Sequence, residues 1–118
     1  MASHNLLGKE AEQMAVNYLT QKGYEILHCN WRHSHYEIDI IAIKNELLRI
    51  IEVKSLKSSQ LRYPEESVTK KKFKHLLRAA DEFLAQNSQY RHVQFDILSI
   101  VLNRENEAEY FLIEDVFL

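Results

Sequence analysis

Two short isoleucine-rich runs, residues 37–43 and 47–54, flank Asn45 and Glu46 and carry Glu37, Asp39, Glu52 and Lys54. If the chain reverses on those two residues, Lys44 faces Leu47, Asp39 faces Glu52 and Glu37 faces Lys54. Directly opposed residues of an antiparallel pair point to one face, about 5 Å apart. Ile41 with Ile50 and Ile43 with Leu48 continue that face, while Ile38 with Val53 and Ile40 with Ile51 form the other. One end of one apolar face then holds three carboxylates and a lysine. Two carboxylates opposed inside a sheet are destabilising unless a proton or a cation lies between them. With room for water, such a pair suits Mg²⁺ or Mn²⁺, hard ions that take oxygen ligands in octahedral geometry. The ion would polarise a phosphodiester oxygen and acidify a bound water, and Lys54 would orient that water or offset transition-state charge. The same spacing permits an internal salt-bridge cluster, Glu37 with Lys54 and Asp39 or Glu52 with an arginine. Spacing alone does not choose between them.

Two further side chains have spacing that could bring them to this cluster. Glu12 lies near Leu19 on a helical wheel, at the border of an apolar stripe, where it could reach the cluster or pair with Lys9 or Lys22. Lys72 lies about 20° from Phe83 around a second helix, at the margin of its apolar stripe, whereas Lys71 and Lys74 point further outward. His28, Cys29, His33 and His35 invite comparison with a zinc site. Their spacing matches no zinc signature and alternate strand residues point apart, so they read as loop and strand-end side chains. Trp31 reads as a core or rim aromatic. Gly-rich phosphate loops, HExxH and serine or cysteine nucleophile motifs are absent.

The elements that must position these groups are legible from periodicity. Leu7, Ala11, Met14, Ala15, Tyr18 and Leu19 recur at helical spacing before Gly23, predicting a helix over about residues 6–22. Residues 24–30 read as a strand, and 37–43 with 47–54 as a hairpin whose strands are apolar on both faces and hence central. Residues 55–66 lack a period and read as a loop. Phe73, Leu76, Leu77, Ala80 and Leu84 mark a second helix from Ser67 to about Gln86, with Ser67 or Thr69 able to cap it. Residues 93–101 and 110–113 read as strands joined by a turn over 103–107. The order α-β-β-β-α-β-β predicts an α/β fold, a mixed five-stranded sheet flanked by helices, with a parallel pairing across the second helix.

The chain has 118 residues, 46% hydrophobic, with two glycines and one proline. That composition predicts a single globular domain over residues 1–118. The longest apolar run is the four residues from Ile40 to Ile43, far short of the ~20 that cross a bilayer, and the first ten residues hold no apolar signal core. The expectation is a cytoplasmic protein with no membrane partner, consistent with a single cysteine, Cys29.

The net charge of −2 is unevenly spread. Between Lys54 and Arg78 eight basic residues stand against Glu65 and Glu66, a balance of +6 that leaves −8 on the rest. Such a stretch attracts phosphates, which makes Lys57, Arg62, Lys70, Lys71 and Lys74 candidates for holding a DNA backbone. The alternative is a solvated lysine-rich helix face.

Gly8-x-x-Ala11-Glu12-x-x-Ala15-x-x-Tyr18-Leu19-x-x-x-Gly23-Tyr24, Asn30-Trp31-Arg32, Glu37-Ile38-Asp39-Ile40-Ile41-Ala42, Glu52-Val53-Lys54, Pro64-Glu65-Glu66-x-Val68 with Lys72, and Phe95-Asp96 together resemble the YraN-like family of uncharacterised bacterial proteins. That family resembles the restriction-endonuclease-like PD-(D/E)XK superfamily, and residues 38–54 are also similar to the hairpin of archaeal Holliday-junction resolvases. The resemblance implies a restriction-endonuclease-like core, with Asp39 and Glu52 as metal ligands, Lys54 as the catalytic lysine and Glu12 as an additional ligand. Glu37 and Lys72 are accessory positions. This chain departs from the family pattern at Tyr36, where glycine is usual, at Leu56, where arginine is usual, and at Gln94, again for arginine. Tyrosine at position 36 either blocks close approach or offers a ring for base stacking. With Leu56, Lys57 becomes the basic group that could compensate.

The expected function is that of a Mg²⁺- or Mn²⁺-dependent nuclease-like protein acting on DNA. Two alternatives stand beside it: a non-catalytic DNA-binding or assembly module, and a Holliday-junction-type resolvase, which requires a homodimer with two sites.

Overall fold

Asn45 and Glu46 both occupy the left-handed backbone region, with φ of 53° and 63°. Two successive positive φ values are what a two-residue type I′ hairpin turn requires, and such a turn leaves no freedom of register. In the computed structural model, which describes residues 2–57, 69–105 and 107–116, Lys44 accordingly pairs with Leu47. The ladder continues through Ile43–Leu48 and Ile41–Ile50 to Ile40–Ile51.

The chain forms α1 (Ala2–Gln21), β1 (Glu25–His33), β2 (Tyr36–Lys44), β3 (Leu47–Lys57), α2 (Lys70–Gln86), β4 (Val93–Leu102) and β5 (Ala108–Ile113). The strands make one mixed sheet in the order β1-β2-β3-β4-β5. Pairing is antiparallel except between β3 and β4, which run parallel across the α2 connection. The predicted order and architecture are therefore observed. Among the described residues, no helix is long and apolar enough to cross a membrane.

Several boundaries differ from the periodicity reading. α1 starts at Ala2 instead of near residue 6, and β5 at Ala108 instead of residue 110. β1 runs on to His33, past the expected end at Asn30; Asn30 takes a φ of 52° and the strand absorbs a register shift between Ile26 and His28. β3 continues through Ser55, Leu56 and Lys57 because β4 supplies parallel partners as far as Leu102. Sheet pairing overrides the weak local signal of these residues. The remainder of the expected loop, with Arg62, Glu65, Glu66 and Ser67, lies outside the described residues. α2 starts at Lys70, and Thr69 caps it, its hydroxyl accepting from the Lys72 N–H at 3.1 Å.

Each face of the sheet carries one helix. On the α1 side, Ala11, Ala15 and Leu19 pack on Ile40, Ala42, Ile51, Leu98 and Ile100. On the α2 side, Leu76, Ala79, Ala80 and Phe83 pack on Ile41, Leu48 and Ile50. Ile38, expected on the same face as Ile40, joins the α2-side cluster with Trp31 and Tyr36 at its margin. By Ile38, β2 has left the β3 ladder, and strict alternation no longer governs it.

Candidate active site

The end of the β2–β3 ladder makes the site. Beyond the Ile40–Ile51 pair the two backbones no longer bond to each other, and the Val53 N–H donates instead to Asp39 Oδ2 at 2.9 Å. Asp39 and Glu52 line one cavity with Lys72, His75 and Leu76 of α2, so both carboxylates fall on the α2 side of the sheet. Glu52 is 8% exposed. Burial first, and then the charge of Glu52, push the Asp39 carboxyl up from 3.8 to about 7. The Val53 N–H and the Lys72 charge pull it back without prevailing.

Two lysines meet this pair. Lys72 Nζ lies 3.0 Å and Lys54 Nζ 3.7 Å from Glu52 Oε1. Their environments push them apart: burial and then the neighbouring Lys72 lower the Lys54 pKa. Lys72 is also disfavoured by burial, but its contact with Lys54 and the charge of Glu52 outweigh that and raise it. One lysine of the pair is therefore held charged while the other gives up its proton more readily, a division of roles suited to proton handling.

Asp39, Glu52 and Lys72 line a cavity of about 300 Å³ together with Glu37, His35 and His75. Sequence reading left two of these unassigned. His35 sits in the turn between β1 and β2, and His75 on α2, one turn from Lys72. His75 Nε2 donates to the His35 carbonyl oxygen at 3.4 Å. Only the three-residue step from Lys72 to His75, on a helix whose margin already pointed to the site, could have signalled His75.

Other candidates are placed elsewhere. Glu37 lines the cavity but bonds to Arg32 at 3.4 Å rather than to Lys54, because the strands part before that register is reached. Glu12 rides on α1, on the opposite face of the sheet, where its charge acts on the Cys29 thiol. His28 meets Phe83 edge-on, and His33 pairs with Glu82 and Gln86. Among the described residues, no three His, Cys, Asp or Glu side chains are grouped as metal ligands. Lys70, Lys71 and Lys74 are exposed on the first turns of α2, adjoining Lys72. Lys57 ends β3, and Arg62 lies outside the described residues.

A second ionic cluster escaped notice because its members are far apart in sequence. On the α1 side, buried Arg49 bonds to Glu114 at 2.9 Å and lies 3.7 Å from Asp96 Oδ2. Gln94 and the Asp115 N–H both donate to Asp96 Oδ1. Burial raises the Asp96 pKa against the pull of these donors and of Arg49. This network fastens the segment after β5 to the sheet.

A family model for an uncharacterised protein family, UPF0102, matches residues 11–100. The chain belongs to UPF0102. A UPF0102 protein of Bacteroides fragilis is 42% identical over 101 residues, covering 86% of this chain and 84% of the relative. UPF0102 proteins of Parabacteroides distasonis and Flavobacterium psychrophilum are 38% and 40% identical, spanning 99% of this chain and 96% and 98% of their own lengths. The YraN-like resemblance is thus borne out, and Asp39, Glu52, Lys54 and Lys72 all fall within the part of the chain that the UPF0102 model covers.

Proposed function

We propose that this UPF0102 protein is a metal-dependent nuclease-like protein acting on DNA phosphodiesters. The observation that supports this reading is the joining of Asp39, Glu52 and Lys72 in one cavity, with Lys54 against Glu52. Asp39 and Glu52 would hold Mg²⁺ or Mn²⁺. Two carboxylates suffice for an ion that keeps several of its waters. Burial first and the Glu52 charge second hold the Asp39 carboxyl up against the pull of Lys72, and a cation between the two carboxylates would favour its charged form. When bound, the ion supplies Lewis-acid polarisation of a phosphoryl oxygen and a more acidic water. Val53 fixes the Asp39 carboxylate through its N–H, Lys54 takes or orients the proton of the attacking water, and Lys72 offsets developing negative charge. Lys70, Lys71 and Lys74 hold the flanking phosphates.

A panel of branched, flapped, single-stranded and duplex DNA incubated with Mn²⁺ tests this on wild type and Lys54→Ala in parallel. Cleavage that falls about a hundredfold or more in the variant is expected. Absence of cleavage of every substrate, or cleavage indifferent to Lys54→Ala, sinks the reading.

The 3.0 Å contact between Lys72 and Glu52 favours a second reading, in which an internal cation has replaced the metal and the chain is a DNA-binding or assembly module. That reading expects salt-dependent DNA binding without Mg²⁺ that survives Asp39→Asn and Glu52→Gln. A junction-resolving role further requires a dimer, and a strictly monomeric species in sedimentation excludes it.

A further inference from the structure

Two imidazoles line one side of the cavity, and the ring of Tyr36 packs against both, each pair tilted by 33–53°. His35 and Tyr36 lie 4.3 Å apart between centroids, Tyr36 and His75 5.0 Å, and His35 and His75 5.5 Å. Both imidazoles line the cavity that holds Asp39, Glu52 and Lys72. Both histidines are exposed, and Tyr36 is half-buried against the α2-side cluster. The cluster is also held in place: His75 donates to the His35 carbonyl, tying the β1–β2 turn to α2. The turn, with Ser34 at φ 57°, thereby places the His35 ring beside His75 and Tyr36.

Packing alone does not account for this arrangement. The apolar contacts between β2 and α2 are already made by Ile38, Ile41, Leu76 and Phe83. The two imidazoles add little hydrophobic burial because solvent reaches them. What they add is π surface and hydrogen-bonding nitrogen next to groups that would act on a phosphodiester. A nucleobase offers a complementary flat face whatever its identity. Inside a continuous duplex that face is covered by the adjacent base pairs, so a ring platform beside the scissile phosphate engages a base only where it is unpaired.

We infer that the His35–Tyr36–His75 ring cluster stacks an unpaired base of DNA flanking the phosphate that Asp39 and Glu52 would engage through a cation, and so selects single-stranded or unpaired segments over continuous duplex. This inference rests on the nuclease reading for the role of the phosphate, but the stacking itself can be measured without turnover.

The probe is a short single-stranded oligodeoxynucleotide carrying one fluorescent adenine analogue whose emission is quenched by stacking, titrated with the full chain in the presence of a chelator. Wild type is expected to quench it and to bind it more tightly than the same sequence in a duplex. The double variant Tyr36→Leu/His75→Ala, which keeps an apolar side chain at position 36, is expected to lose the quenching and to bind about five- to a hundredfold more weakly. Tyr36→Phe, which keeps the ring, is expected to behave as wild type, and matched thermal midpoints confirm that the variants are folded. Equal binding by wild type and the double variant, a preference for duplex, or no binding at all overturns the inference. Ring-dependent quenching by a protein that never cleaves with Mn²⁺ leaves stacking in place and removes the nuclease reading. Cleavage by a protein whose binding ignores the rings does the reverse.

Discussion

The Val53 N–H donates to the Asp39 carboxylate at 2.9 Å at the point where the β2–β3 ladder stops. A side chain here takes over from a backbone carbonyl, so the residue that would bind the metal also ends the hairpin. Structure and chemistry at Asp39 can be separated by choice of substitution. Asp39→Asn keeps an oxygen for the Val53 N–H and should fold with a stability close to or above wild type while losing metal binding. Asp39→Ala leaves that N–H without its acceptor and should cost about 1–3 kcal/mol. Urea unfolding of the two variants checks this, and equal stabilities would show that the Val53 bond contributes nothing.

Metal-free protein should show a pH dependence set by the same carboxyl. Its folded pKa is raised to about 7, because burial and Glu52 penalise the charged form. The folded state therefore holds a proton that the unfolded chain releases near its ordinary value. The associated stability is complete below about pH 4 and is lost as pH rises through about 7. In chelator, the thermal midpoint of wild type should fall relative to Asp39→Asn between about pH 5 and about pH 8. A constant difference between the two proteins over that range contradicts the assignment. Added Mg²⁺ should restore most stability to wild type at the alkaline end, where the carboxylate is free to bind it.

The floor of the site was readable because one local feature controls it. Asn45-Glu46 set a two-residue turn, the turn set the register, and the register brought Asp39 and Glu52 to one face. Lys72 was readable from its angle to Phe83 on a regular helix. Glu37 does line the cavity, but its expected pairing with Lys54 was not readable, because it depended on a ladder continuing past the point where Asp39 ends it. The Glu12 assignment failed to materialise in the cavity because a helical wheel gives the angle of a residue but not which face of the sheet its helix covers. His75 and the Arg49 cluster depend on contacts between elements far apart in sequence, which periodicity does not encode.

Arg49 and Asp96 are 6% and 1% exposed, and each has a polar atom without a hydrogen-bond partner, Nε of Arg49 and Oδ2 of Asp96. Arg49→Met would strand the Asp96 carboxylate in the interior and release Glu114. Removal of one member of a buried ionic pair typically costs about 3–5 kcal/mol. Because Glu114, Asp115 and Val116 are fastened through Arg49, Asp96 and Phe95, amide exchange should accelerate at Asp115 and Val116 before it does in the central strands. A loss below about 1 kcal/mol, or unchanged exchange at those two amides, would assign the clamp to apolar packing of Val116 instead.

The exposed lysines of α2 make a prediction independent of turnover. Lys70, Lys71 and Lys74 are exposed on the first turns of α2, the helix that also carries Lys72 into the cavity. Each phosphate contact to single-stranded DNA contributes roughly 0.7 to the slope of log affinity against log salt. Replacing all three lysines with glutamine should lower that slope by about 2 and weaken binding at low salt far more than at high salt. All three point to solvent, so the thermal midpoint should change little, which separates an electrostatic loss from an unfolded protein. Lys54→Ala provides the contrast. Its side chain is half-buried against Glu52, so it should leave the salt slope nearly intact while removing cleavage. If instead the triple variant keeps its slope, the +6 segment is a solvated helix face and DNA must be held elsewhere.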